Sequence, residues 1–112
     1  MHEMAIMQNI LEIINTQIKE YNLKKISNVK IVAGELTGVV PEIMEFCWQV
    51  CTENTPCAGA KLEIEKLPAR ALCRECSHEY DFLEKLSCPR CGGGIKKVLS
   101  GKELYVNFIE GE

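Results

Sequence analysis

Cys73, Cys76, Cys88 and Cys91 form two CxxC pairs with eleven residues between them. This is the spacing of a closed metal site built from two turns. Each pair puts two thiolates on one tight turn, and two such turns facing each other supply the tetrahedral four-sulfur cage that Zn(II) takes in structural sites. The second turn runs into Gly92, Gly93 and Gly94, which offer the positive φ that a tight turn requires. Four sulfurs leave no place for a water ligand, so zinc bound here would hold structure and not do chemistry. Iron in a rubredoxin-like cage is the competing occupant, because four thiolates suit it as well. His78, two residues after Cys76, is expected beside the cage or in solvent and not on the metal.

A metal staple makes sense at this size. The chain has 112 residues, enough for one small domain, or for one with a metal-held appendage. Its 46% apolar and 26% charged residues are those of an ordinary globular protein. A net charge of −3 disfavours a general nucleic-acid binder, which needs surplus Lys and Arg to neutralise phosphates. Between Pro68 and Gly101, six basic residues (Arg70, Arg74, Lys85, Arg90, Lys96, Lys97) face four acidic ones (Glu75, Glu79, Asp81, Glu84), too small an excess to reverse that. No apolar run has the roughly 18 residues of a membrane helix, and Met1-His2-Glu3 lacks the basic start of a secretory signal. A cytoplasmic protein is expected. Seven cysteines are an odd number, which with CxxC pairing favours reduced thiols and metal over a disulfide scaffold.

Met4, Met7, Leu11, Ile14, Ile18 and Tyr21 recur at spacings of three and four, as on an amphipathic helix beginning almost at residue 1. Val29 to Ala33 is β-branched and leads to Gly34 and Gly38, a strand leaving through a glycine-bearing loop. Pro41 suits the first position of a second helix, with Ile43, Phe46, Cys47, Val50 and Cys51 as an apolar face and Met44 and Trp48 beside it. Lys61 to Lys66 and Leu104 to Ile109 alternate as half-buried strands do. A final strand beyond the cysteine pairs predicts that the chain leaves one domain, builds the metal module and returns. The expected fold is α/β, with two helices and three strands and an inserted zinc-ribbon-like module. The domains are expected at 1–67 with 101–112 and at 68–100.

Cys47 and Cys51 lie four apart on the second helix, close enough to share a face, although small buried residues are the plainer reading. Cys57 is expected as a free thiol. At the start of the chain, a free α-amine, the backbone nitrogen of His2 and its imidazole can close two fused chelate rings on one ion. Such nitrogen donors favour square-planar Ni(II) or Cu(II), and Glu3 could add a donor through its amide or carboxylate. A solvated terminus is the alternative.

Met1-His2-Glu3, then Gly34-Glu35-Leu36-Thr37-Gly38 with Pro41-Glu42, then the two CxxC pairs occur in the order and separations of one family. Over essentially its full length the chain resembles the HypA/HybF family of hydrogenase nickel-incorporation proteins. The resemblance implies a nickel-binding α/β domain with a zinc domain inserted before the last strand. It implies that His2 carries nickel, with Met1 through its amine and Glu3 as neighbours, and that Cys73, Cys76, Cys88 and Cys91 carry zinc. It further implies a non-enzymatic metallochaperone that hands Ni(II) toward the large subunit of nickel-iron hydrogenase, works with the GTPase HypB and in some members serves urease maturation. In some relatives a histidine follows each CxxC pair; here His78 follows the first and Gly92 the second, which tells against a zinc switch needing two. The alternative is a zinc-ribbon adaptor that touches nucleic acid or a transcription partner. No catalytic arrangement and no phosphate loop is visible.

Overall fold

A computed structural model describes residues 3–112; the expected nickel ligands Met1 and His2 lie outside the described residues. The elements are α1 (Glu3–Glu20), β1 (Ile26–Gly34), a single 3-10 turn (Glu35–Thr37), α2 (Pro41–Thr52), β2 (Lys61–Leu67), β3 (Arg70–Cys73), β4 (Glu79–Asp81), β5 (Ile95–Ser100) and β6 (Leu104–Gly111). They form two three-stranded sheets, ordered β2-β1-β6 and β4-β3-β5. The chain divides into two compact units, one of residues up to 32 with 39–65 and 105–112, the other of residues 33–38 and 66–104.

In the first unit, α1 buries Glu3, Met7, Ile10 and Ile14, steps of four, three and four along one helical face. The expected stripe is therefore rotated. Met7 and Ile14 lie inside, but Met4 and Tyr21 are exposed and Ile10 takes an inner place. On α2 the buried residues are Met44, Cys47, Trp48 and Thr52, while Ile43, Phe46 and Val50 face solvent. The face assigned from periodicity was thus one step off, with Met44 and Trp48 at its centre and not beside it. Pro41 opens α2 at N1, where its missing N–H costs nothing. Trp48 Nε1 donates to the Ala60 carbonyl at 3.1 Å, which pairs the one polar atom of a buried ring.

β1 begins earlier than its apolar run implied, at Ile26. Asn28 and Lys30, half-buried, share one face of the strand, and buried Val29 and Ile31 lie on the other, so the middle of β1 is polar on one side. That polar face is knitted across the sheet. Asn28 Nδ2 donates to Glu63 Oε1 and Glu110 Oε1 at 3.3 and 3.1 Å, and Lys30 Nζ meets Glu65 Oε1 at 2.8 Å. The Glu65 carboxylate, by hydrogen bond and by charge, holds the Lys30 ammonium above its ordinary pKa.

In the second unit, the glycine-bearing loop closes by backbone contact. A Cβ on Gly34 would stand 2.0 Å from the Gly101 carbonyl oxygen, so no side chain fits there. Leu36 N–H donates to that same carbonyl at 2.8 Å, and Thr37 Oγ1 donates to Gly34 O at 2.7 Å.

The split of α2 into buried and exposed apolar residues yields a test. Met44→Ala empties a fully buried site and should cost about 2–5 kcal/mol. Phe46→Ala, on the open face, should change stability by no more than about 0.5 kcal/mol. Denaturant unfolding of the two variants checks the difference.

Candidate metal centre

The sulfurs of Cys73, Cys76, Cys88 and Cys91 all lie within 4.8 Å of one another. The two turns that carry them repeat one hydrogen-bond pattern. Cys73 N–H donates to His78 O at 2.9 Å and Cys88 N–H to Gly93 O at 3.0 Å, each five residues on. In return Ser77 N–H reaches Cys73 O at 3.2 Å, and Gly92 N–H reaches Cys88 O at 2.8 Å. The residue after each second cysteine turns left-handed, with φ of 60° at Ser77 and 78° at Gly92. Of the three glycines, only Gly92 has positive φ, so the expectation that they all serve that purpose is corrected. Gly93 is needed for room: a Cβ there would meet Glu75 Cγ at 2.7 Å and Cys73 Sγ at 3.1 Å.

β3 supplies the first turn and is itself held on both edges. Ala71 pairs with Tyr80 of β4 and with Val98 of β5. Cys73, two residues past Ala71, shares its face, and Ala71, Cys73, Tyr80 and Cys88 form one buried cluster with Phe82 packed against it. Cys73 and Cys88 are buried whereas Cys76 and Cys91 are exposed. Each turn thus gives one inner and one outer sulfur.

The cage is primed for a cation. The Cys76 backbone N–H does most to hold Cys73 low, burial opposing, and Glu75 N–H, 3.3 Å from Sγ, helps to bring the thiol down to about 6. At Cys91 the Gly93 N–H favours the thiolate, but the neighbouring Cys73, Cys76 and Cys88 outweigh it and push the thiol up to about 12. One thiolate forms readily and the last resists, because negative charge accumulates. A divalent ion at the centre removes that resistance. The separations fit as well: Cys73–Cys91 is 3.4 Å and Cys76–Cys88 is 3.7 Å, near the roughly 3.8 Å edge of a tetrahedron with metal–sulfur bonds of about 2.3 Å. His78 is not among the clustered donors; it contributes its backbone carbonyl.

Glu3 is the one expected nickel neighbour within the described residues. Its side chain is buried, and Oε2 accepts the N–H of Val40 at 3.3 Å. Val40 is the N-cap of α2 and has no side-chain cap of its own. A carboxylate at that end satisfies an orphan donor and lies favourably in the helix dipole. The carboxylate of Glu3 thus joins the start of α1 to the start of α2 through Oε2. Sequence periodicity missed this because a glutamate on an inner face reads as polar.

Two outcomes follow from this geometry. Cys73→Ala should lose the bound metal and loosen residues 66–104, since structural metal binding is also folding free energy; metal content and limited proteolysis check it. Glu3→Ala should cost about 1–3 kcal/mol by leaving the Val40 N–H unmatched, and Glu3→Gln, which keeps an acceptor, should cost less. Chemical denaturation separates the two.

Comparison with known proteins places this geometry. The family described as "Hydrogenase/urease nickel incorporation, metallochaperone, hypA" matches residues 1–111. The hydrogenase maturation factor HypA of Moorella thermoacetica is 40% identical over 114 residues, covering all of both chains. That of Geobacter metallireducens is 39% identical over 113 residues, again with full coverage of both. The solution structure of the Ni metallochaperone HypA from Helicobacter pylori shares the fold, with a TM-score of 0.65 at 19% identity over 99% of this chain and 97% of that one. A second HypA solution structure gives 0.71 at 21% identity over 100% and 97%. Two helices, two small sheets and one four-cysteine cage, on a sequence matched from end to end, make this chain a member of the HypA family of hydrogenase and urease nickel-incorporation metallochaperones.

Proposed function

We propose that the chain binds Ni(II) at its N-terminus and delivers it during maturation of nickel-iron hydrogenase. The family match over residues 1–111 is the observation that carries this reading. The proposed nickel donors are the Met1 amine, the backbone nitrogen and imidazole of His2, and Glu3 through its amide or carboxylate. Cys73, Cys76, Cys88 and Cys91 would hold Zn(II), whose tetrahedral preference the sulfur separations suit. Bound there, zinc would supply structural closure of its module and no catalysis; the chain acts as a carrier and not as an enzyme. A nickel-binding domain of 1–67 with 101–112 and a zinc domain of 68–100 express this division.

A carrier must bind its ion yet release it. Donors at a chain end can leave one at a time and stay accessible to a partner. The amine, amide and imidazole all give up protons or proton-binding capacity on binding, so nickel affinity should fall as pH falls through the histidine range. The expected partners are the GTPase HypB and the hydrogenase large subunit, with urease maturation proteins as a further client group. The proposed setting is cytoplasmic; no helix among the described residues is long and apolar enough to cross a membrane.

The test is Ni(II) titration of untagged, zinc-loaded protein beside versions with a short extension before Met1 and with His2→Ala, followed by absorbance of planar Ni(II). Binding by the native terminus alone is expected. Equal binding by all three would contradict the ligand assignment, and salt-sensitive retention on nucleic acid without nickel binding would favour the zinc-ribbon adaptor.

A further inference from the structure

One polar atom inside the second unit is left unmatched. Tyr80 is 3% exposed, and its hydroxyl is buried with no hydrogen-bond partner among the described residues. Leaving a buried hydroxyl unmatched is costly, and this one lies in the cluster that also holds two cage sulfurs. Its place in the fold limits what could accept its proton. On β4, Tyr80 stands opposite Ala71, so Cys73, two residues further along β3 on the same face, is its diagonal neighbour and within reach of an aromatic side chain. Cys88 joins the same cluster from the second turn, and Ala71 and Phe82 complete it. Among those four neighbours only the two sulfurs can accept a hydrogen bond. Burial, and after it the charge of Cys73, Cys88 and Cys91, holds the phenol above its ordinary pKa, so the cage sulfurs are also its electrostatic surroundings.

We infer that Tyr80 is a positioning residue for the cage, its O–H donating to an inner sulfur, Cys73 or Cys88, when the metal is bound. This rests on the zinc reading above. Four thiolates carry twice the charge of the divalent ion they hold, and the excess is shared by the sulfurs. Water can reach the exposed Cys76 and Cys91, but the buried Cys73 and Cys88 must take their donors from the protein. Glu75 N–H gives one to Cys73 Sγ at 3.3 Å. At Cys88 the contact is with another sulfur, Cys76 Sγ, at 3.7 Å. A buried donor without an acceptor and buried acceptors in need of donors thus meet in one cluster.

A thiolate accepts a hydrogen bond far better than a protonated thiol does. The bond therefore strengthens as the cage is loaded, and metal binding is favoured by it. Tyr80 keeps its proton throughout. Its role is to hold an inner sulfur in thiolate form and in place, as partners of metal ligands do.

The experiment uses the full chain loaded with Zn(II), or with Co(II) as a coloured substitute. Zinc affinity is measured by competition with a chromophoric chelator, and the thiolate-to-cobalt charge-transfer band by absorbance. Tyr80→Phe, which removes only the hydroxyl, should weaken zinc binding about 10- to 100-fold, as loss of a metal ligand's partner does. It should also move the cobalt band to longer wavelength, because a thiolate relieved of a hydrogen bond is the stronger electron donor. Phe82→Leu, a packing change beside the same cluster, should leave that band in place. Unchanged affinity and band in Tyr80→Phe overturn the inference and give the hydroxyl another partner, such as a trapped water. An equal band shift in Phe82→Leu overturns it by making the effect one of packing. Wild type that takes up neither ion contradicts the cage reading and the inference with it, and the missing band tells that outcome from the others.

Discussion

Closure of four thiolates around one centre is the constraint on which the second unit depends. Its buried cluster is Ala71, Cys73, Tyr80 and Cys88, with Phe82 alongside. Two of those four are cage sulfurs, and the others are a methyl group and one ring. Such a cluster buries too little apolar area to offset the ordering of some 40 residues. The ion must therefore act as the core. The repeated turn geometry follows from that demand, since each pair of sulfurs has to point inward while its backbone groups remain matched. Ser77 and Gly92 accept a left-handed backbone for this purpose, although a serine there is less at ease than a glycine.

The first unit is stabilised differently, by apolar side chains from two helices and a sheet, and its least expected member is Glu3. A carboxylate on the inner face of α1 caps α2, so the first turn of one helix is positioned by the start of the other. The consequence for function is local. The segment proposed to carry nickel adjoins Glu3 in sequence, and Glu3 is fixed by its bond to the start of α2. The contact of Cys51 Sγ with Met4 Sδ at 3.3 Å is a second tie between the helices.

Much of this was legible in the sequence, for reasons that can be named. Cysteine spacing determines a cage almost independently of context, and Pro41, the alternation from Lys61 and the alternation from Leu104 each mark an element by local chemistry. The face of α1 was less legible. With Met4, Ala5, Ile6, Met7, Ile10, Leu11, Ile13, Ile14 and Ile18 distributed widely around the helix, periodicity leaves its rotation open by about one residue, and the choice is made by tertiary contacts. β3 and β4 span only four and three residues, too short for alternation to stand out. The role of Gly34 depends on Gly101, sixty-seven positions away, so no local pattern could have announced it.

The most direct test of the account is nickel-edge X-ray absorption on zinc-loaded, untagged protein carrying one equivalent of Ni(II). The account predicts a planar ion whose shell contains nitrogen and no cage sulfur, with zinc undisturbed in its cage. A tetrahedral shell of four sulfurs, with zinc released, would place nickel among Cys73, Cys76, Cys88 and Cys91 and contradict the separation of carrier site from structural site.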